Sequence, residues 1–259
     1  MTKIGALILS TLLSAGIAAV AQSPIDGTWK TNMAQTKFSP KPIVFYVSQG
    51  WYHCVSCNPT YDAKADGTDQ PVTGQTYDTV VVKEAAPNTL AVTTKKGGKV
   101  VSEQTRTVSA DGKTLTVKTT AHPMNSDQTV TATAAGKRTG VTPSGVHATS
   151  GEWQIVKVEV SENGLTTTYK TNGDELTMSQ PTGETYTAKL DGTDAPVKGA
   201  YGFDTVSLKK INDHTIEETQ KRNGSVVMVN TMTVGGKTMK VTSENKVTGR
   251  TNTYTATKQ

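Results

Sequence analysis

After residue 21 the chain has no apolar run able to cross a bilayer as a helix, which needs about 20 residues. No window after residue 25 repeats apolar residues at i, i+3 and i+4, so an all-helical fold is excluded. Aromatic residues make up 5% of the chain, and its Lys and Arg residues are scattered. A nucleic-acid surface with interleaved stacking rings is therefore excluded. Cysteine is limited to two residues and histidine to four. His122, His147 and His214 show no metal-ligand spacing, and no metal or cofactor is expected. There is no Gly-x-Ser-x-Gly elbow, His-Glu-x-x-His pair, P-loop or dinucleotide fingerprint. No catalytic residue is nominated.

What is present is an internal duplication. Tyr61–Gly74 (YDAKADGTDQPVTG) returns as Tyr186–Gly199 (YTAKLDGTDAPVKG), 125 positions later. The register extends outward from this pair. Gly27-Thr-Trp29 meets Gly151-Glu-Trp153, Thr107-Val108 meets Thr233-Val234, and Gly112–Val117 meets Gly236–Val241. A period of this length is domain-sized, far beyond a solenoid repeat of roughly 20–50 residues. The expected organisation is a signal peptide at 1–21, unit 1 at 22–135, a linker at 136–149 and unit 2 at 150–259. The signal peptide is read from Lys3, the apolar stretch from Ile4 and the Ala19-Val-Ala21 cleavage site. Its removal places the mature protein in the periplasm or outside the cell. Loss of Lys3 lowers the formal charge of +5 to +4, a solvated surface that favours an anionic envelope only mildly.

Threonine and valine are abundant and alternate with apolar positions, which suits a pleated, half-exposed surface. The pattern turns Leu90, Val92, Leu115 and Val117 inward in unit 1, and Leu165, Tyr169, Tyr186, Ala188 and Leu190 in unit 2. Between the runs lie turn dipeptides, among them Asp66-Gly67, Gly97-Gly98, Asp111-Gly112, Asn172-Gly173, Asp191-Gly192 and Asn223-Gly224. Each unit reads as about eight or nine short antiparallel strands. Such a meander must curl to hide its edges. The fold class is all-β: two tandem antiparallel up-and-down β-barrel units, closed or partly open.

Ile25-Asp-Gly-Thr-Trp-Lys30 and Gly151-Glu-Trp153 resemble the G-x-W opening strand of the calycins, the lipocalin and fatty-acid-binding-protein superfamily. The resemblance implies that Trp29 and Trp153 plug a barrel end beneath a basic residue from the last strand. That residue would be Lys137 or Arg138 in unit 1, and Arg250 or Lys258 in unit 2. The mature chain also resembles a group of uncharacterised exported bacterial proteins with Gly-Thr-Trp-Lys openings, which implies no activity.

Cys54 and Cys57 lie in Trp51-Tyr-His-Cys-Val-Ser-Cys57. In an exported protein a disulfide is the simplest reading. Along a strand they would stand ~10 Å apart, beyond the ~7 Å that a bridge tolerates, so Val55-Ser56 must turn. The bond would contribute about 2 kcal/mol by loop entropy. A thioredoxin-like pair lacks the helix it needs, haem attachment fails at Asn58, and zinc would use His53 with a ligand from elsewhere. Asp66–Asp69 and Asp191–Asp194 lack the ligand array of a calcium loop and read as tight turns. Glu217 and Glu218 fall on opposite faces of one strand and form no acid/base pair; unit 1 has Ala91 and Val92 there.

The expected function is that of an exported, non-enzymatic, lipocalin-like protein binding a small hydrophobic or amphipathic molecule. The aromatic positions Trp51, Tyr52, His53 and Tyr61 in unit 1, and Tyr169, Tyr186 and Tyr201 in unit 2, are the candidate ligand contacts. Two other readings stand beside it: a lipocalin-like hydratase or isomerase, and a structural or interaction module of the cell envelope. Each would need something further, convergent polar groups for the enzyme or an apolar outer patch for the module.

Overall fold

The computed structural model describes residues 23–259, and the expected signal peptide lies outside them. Twenty strands follow one another. The first repeat carries β1 (Gly27–Lys37), β2 (Ile43–Ser48), β3 (Trp51–Cys54), β4 (Tyr61–Lys64) and β5 (Asp66–Pro71). It continues with β6 (Thr79–Ala86), β7 (Thr89–Lys96), β8 (Lys99–Val108), β9 (Thr114–Ala121) and β10 (Val130–Arg138). The second repeat carries β11 (Gly151–Val160), β12 (Thr166–Asn172), β13 (Glu175–Ser179), β14 (Thr185–Lys189) and β15 (Asp191–Pro196). It ends with β16 (Thr205–Asn212), β17 (Thr215–Arg222), β18 (Ser225–Gly235), β19 (Thr238–Asn245) and β20 (Arg250–Lys258). Residues 136–138, expected in the linker, complete β10.

The strands form two ten-stranded antiparallel sheets, each curled into a nearly closed barrel. Their membership crosses the duplication. β2–β10 form one barrel with β11, and β12–β20 form the other with β1. Each repeat thus lends its leading strand to its twin. β1 lies between β12 and β20, with Trp29 opposite Thr167 and Lys258. β11 lies between β10 and β2, with Trp153 opposite Arg138 and Ile43. The barrel built around β2–β10 is called the first, and that around β12–β20 the second.

Alternation does what the residue pattern requires. Along β7, Leu90, Val92 and Thr94 are buried, and along β16 Val206 and Leu208 are. Two separate cores result, one centred on Trp153 with Phe45, Tyr52 and Leu90, the other on Trp29 with Leu176, Leu208 and Met239. Ten strands per repeat exceed the eight or nine expected because the duplicated segment bends. The motif Asp-Gly-Thr-Asp is a bulge inside β5 and β15, where pairing shifts register, and not a hairpin tip. Asp66 Oδ1 accepts from the Thr68 amide at 2.9 Å and Asp191 Oδ1 from the Thr193 amide at 2.9 Å. Gly67 and Gly192 hold φ of +83° and +92° there, a conformation that favours glycine.

The G-x-W strands show why that motif is spelled as it is. The Trp29 indole N–H donates to Ile25 O at 2.7 Å, and that of Trp153 to Thr149 O at 2.9 Å. Lys258 Nζ stands 5.5 Å from the Trp29 ring centre, and the Arg138 guanidinium 4.0 Å from that of Trp153. The basic caps are therefore exchanged with respect to the expectation, because the strands are. Arg250 caps neither ring; its Nη2 donates to Pro42 O at 2.6 Å, on the segment joining β1 to β2. Lys137 faces solvent. A Cβ on Gly27 would lie 2.6 Å from Lys258 Cε, and one on Gly151 2.5 Å from Arg138 Nη1. Glycine at both places leaves room for the cation to reach the indole.

Because β1 belongs to the second barrel, Trp29→Ala should destabilise that barrel by about 3–5 kcal/mol, the usual cost of truncating a buried Trp. Hydrogen exchange should show faster opening of amides in β12–β20, with β2–β10 protected. Opening confined to β2–β10 would contradict the exchanged arrangement.

Candidate functional site

Aligned through their registers, the two interiors differ in charge at a few inward positions. Val82 pairs with Val92 and Leu208 with Glu218, so a carboxylate in the second barrel stands where the first has valine. Leu90 pairs with Arg106 and Ile216 with Met232, so a guanidinium in the first barrel stands where the second has methionine. Gln104 corresponds to Asn230 in the same way. Gly27 opposite Tyr169 and Gly151 opposite Phe45 equate those two rings.

In the first barrel, Arg106 lies with its guanidinium 4.7 Å from the Phe45 ring centre and 5.7 Å from that of Tyr52. Its Nε and Nη2 donate to Gln104 Oε1 at 3.2 and 2.9 Å, and its Nη1 to the Tyr52 hydroxyl at 3.1 Å. A guanidinium has five N–H groups, and these bonds use three. None of the ion pairs among the described residues includes Arg106. A cavity of about 440 Å³ opens beside it, lined by Tyr52, Tyr61, Tyr77, Val92 and Gln104, the Cys54–Cys57 bridge, and Tyr201 and Arg250 of the second repeat. Burial pushes the Tyr61, Tyr77 and Tyr201 hydroxyls above their ordinary pKa, so all three remain neutral hydrogen-bonding groups near neutrality.

Sheet closure explains the opening. In the second barrel Thr185 and Lys198 exchange backbone hydrogen bonds of 3.0 and 2.9 Å across the seam between β14 and β15. Among the described residues the first barrel has no such bridge. There the Tyr61 and Tyr77 hydroxyls meet at 2.8 Å instead. Cys54 and Cys57 are bonded with Cα atoms 5.4 Å apart, and Val55-Ser56 form the turn. Ser56 ties that turn to β2, donating its amide to Val44 O at 3.1 Å.

The predicted aromatic positions sort by strand face. Tyr52 and Tyr61 point into the first barrel, and Tyr201 reaches the same cavity, its hydroxyl donating to His122 O. Trp51 and His53 stand on the outer face, because they alternate with the inward Tyr52 and Cys54. Trp51 is 41% exposed, and His53 Nδ1 pairs with Asp62 Oδ1 at 2.7 Å. Tyr169 and Tyr186 lie in the second barrel, apart from the other group.

That second interior is organised by Glu218, which is 4% exposed. Its Oε2 accepts from the Tyr186 hydroxyl, and its Oε1 accepts from Gln220 Nε2 at 2.7 Å and Asn230 Nδ2 at 2.8 Å. Burial and the Glu218 charge push the Tyr169 and Tyr186 hydroxyls well above their ordinary range and that of Tyr254 up to about 12. Glu184 is pushed up to about 7, by burial first and by Glu218 second. The sequence reading did not single out Arg106, and it set Glu218 aside although Val92 stands at that place in the first repeat. The signal was the repeat itself: a charged residue facing inward in one copy and an apolar one in the other.

A larger hollow of about 870 Å³ lies at one end of the second barrel, beside Ser23–Ile25. Two of its charged groups, Lys210 and Asp213, are already paired at 2.8 Å. The cavity beside Arg106 is smaller but holds unspent donors, and it is the better candidate site.

Glu184 supplies a test of the second interior. Its folded pKa near 7 lies above that of an unfolded glutamate, so between about 4.5 and 7 the folded state binds more protons than the unfolded one. Stability should fall as pH rises through that window and level off above it. Chemical denaturation at several pH values should show this slope, and Glu184→Gln should flatten it. An unchanged slope in that variant would assign the effect elsewhere.

Comparisons of the chain with protein-family models, with curated proteins and with solved structures give no match.

Proposed function

We propose that this is an exported, non-enzymatic protein that binds a small amphipathic molecule with an anionic group inside its first barrel. The observation that carries the reading is the Arg106 guanidinium, set in an aromatic cavity without a carboxylate partner. A half-buried cation without an anionic partner has given up hydration, and a ligand anion would compensate through the two N–H groups not engaged within the protein. The cavity volume of about 440 Å³ falls in the range of roughly 300–1,000 Å³ typical of small-molecule sites. Tyrosine rings and Val92 offer apolar walls, and Arg250 adds a second positive group to the lining. The lining contains no carboxylate and no imidazole, so it favours holding a ligand over acid–base turnover. The resemblance to calycins and the leader-like start at residues 1–21 support the same reading and an exported location.

Fluorescence titration with 1-anilinonaphthalene-8-sulfonate, an aromatic sulfonate, tests it. Saturable binding is expected. Arg106→Met, which installs the residue the second repeat carries at this position, should weaken binding by about tenfold or more, as loss of a charged hydrogen bond does. Equal affinity in wild type and Arg106→Met, with folding intact by circular dichroism, would refute the assignment.

A further inference from the structure

We propose that the second barrel is a separate site for an ammonium-type cation, either ammonium itself or the head of a primary amine. Its seat is the small cavity beside Glu218 and Asn230. This inference concerns the other barrel and goes beyond the reading of the Arg106 cavity.

The cavity measures about 50 Å³ and is lined by Trp29, Tyr169, Glu218, Asn230, Met232 and Tyr254, among others. That is more than the roughly 10–15 Å³ a single water requires, and far below what a drug-sized ligand needs. Asn230 Oδ1 is a buried acceptor with no hydrogen-bond partner, although its residue is only 9% exposed. Turning the amide over does not help, because Nδ2 already donates to Glu218 at 2.8 Å and the exchange would set two oxygens against each other. A bare acceptor in such a place calls for a donor.

Three neighbouring donors are already committed. The Tyr186 hydroxyl and the Gln220 amide are turned to Glu218, and the Tyr169 hydroxyl donates to Met232 Sδ at 3.4 Å. What faces the cavity is the bare Asn230 oxygen, the Glu218 carboxylate, the hydroxyls of Thr31, Thr167 and Tyr254, which can turn to accept, aromatic rings and the Met232 sulfur. A guest that donates to the Asn230 oxygen and to the carboxylate at once fits this set, and ammonium is such a guest. Its charge also matches. No ion pair among the described residues includes Glu218, and Lys258 is engaged on the Trp29 ring and at Pro24 O. Aromatic faces attract such a cation further. Divalent metals are a poor match, since calcium takes six to eight oxygens and no cluster of three metal-binding side chains exists among the described residues.

The test uses the full mature chain and compares thermal unfolding in ammonium, potassium, sodium and tetramethylammonium chlorides at equal ionic strength. Ammonium alone should raise Tm, by about 3–6 °C once its concentration passes tenfold over Kd. Glu218→Gln and Asn230→Leu should each remove the rise, while sulfonate-probe binding at Arg106 stays unchanged as a sign that the protein is folded. Should Glu218→Gln fail to fold, the wild-type ion series and Asn230→Leu still decide. Equal stabilisation by potassium or sodium would overturn the N–H donor requirement. No stabilisation by any of the salts would mean that the cavity holds water only and would overturn the site.

Discussion

Each barrel depends on an indole held between a backbone carbonyl and a cation. Trp29 and Trp153 each donate to a carbonyl four residues earlier, and each carries a basic side chain from the strand alongside. The preceding glycine, at φ of +122° or +132°, gives the cation its path. Because aromatic residues are scarce, these two rings contribute much of the apolar volume of their cores. The remaining volume comes from Val, Leu and Met, with Thr on the intervening positions. Sheets so thinly supplied with large side chains cannot choose their register by packing alone, and the clasped indole fixes it at one end.

Exchange of the leading strands makes that clasp a joint between the two halves. The contacts inside a barrel are the same whichever copy supplies its first strand, so exchange within one chain neither adds nor removes ladder hydrogen bonds in the sheets. What it changes is connectivity. The segments after β1 and β11 must pass from one barrel to the other, and both are held where they pass. Arg250 holds Pro42 O at 2.6 Å, and the Leu165 carbonyl, after β11, accepts from the Thr31 amide at 2.9 Å. Arg138 covers the Trp153 ring and, through Ser150 O at 2.6 Å, also ties down the loop that joins β10 to β11 within the first barrel. It also follows that Arg250 and Tyr201, residues of the second repeat, stand at the cavity of the first barrel.

Much of the fold was legible in the residues. Alternation in Thr89–Thr93 and Glu184–Leu190 placed Leu90, Val92, Tyr186 and Ala188 correctly, because a two-residue period admits no other face. The close cysteine pair required a turn at Val55-Ser56 on distance alone. The exchange of β1 and β11 was not legible, since a strand carries the same hydrophobic face into either barrel and the duplicated partners are nearly equivalent. The bulged Asp-Gly-Thr-Asp segments resembled hairpin tips because both uses select glycine at positive φ. For the sites, aromatic clustering in sequence was a weak guide: adjacent residues in a strand face opposite ways, which separates Trp51 and His53 from Tyr52.

Duplication also accounts for how two unlike interiors arose on one scaffold. Exchanging Val92 for Glu218 and Arg106 for Met232 changes the charge inside each barrel while the strands, turns and clasps remain. A buried charge is tolerated only if neighbours solvate it, and each copy carries its own set. Gln104, Tyr52 and the Phe45 face serve Arg106, whereas Tyr186, Gln220 and Asn230 serve Glu218. The same residue types turn different atoms to the two charges: hydroxyl and amide donors ring the carboxylate, while an amide oxygen, a hydroxyl oxygen and an aromatic face meet the guanidinium. Packing alone did not demand these substitutions, for the opposite barrel does without each of them. On the proposed reading, a charged residue that its twin replaces with valine or methionine, together with the polar shell that keeps it, answers to what the interior would receive and not to what holds the barrel shut.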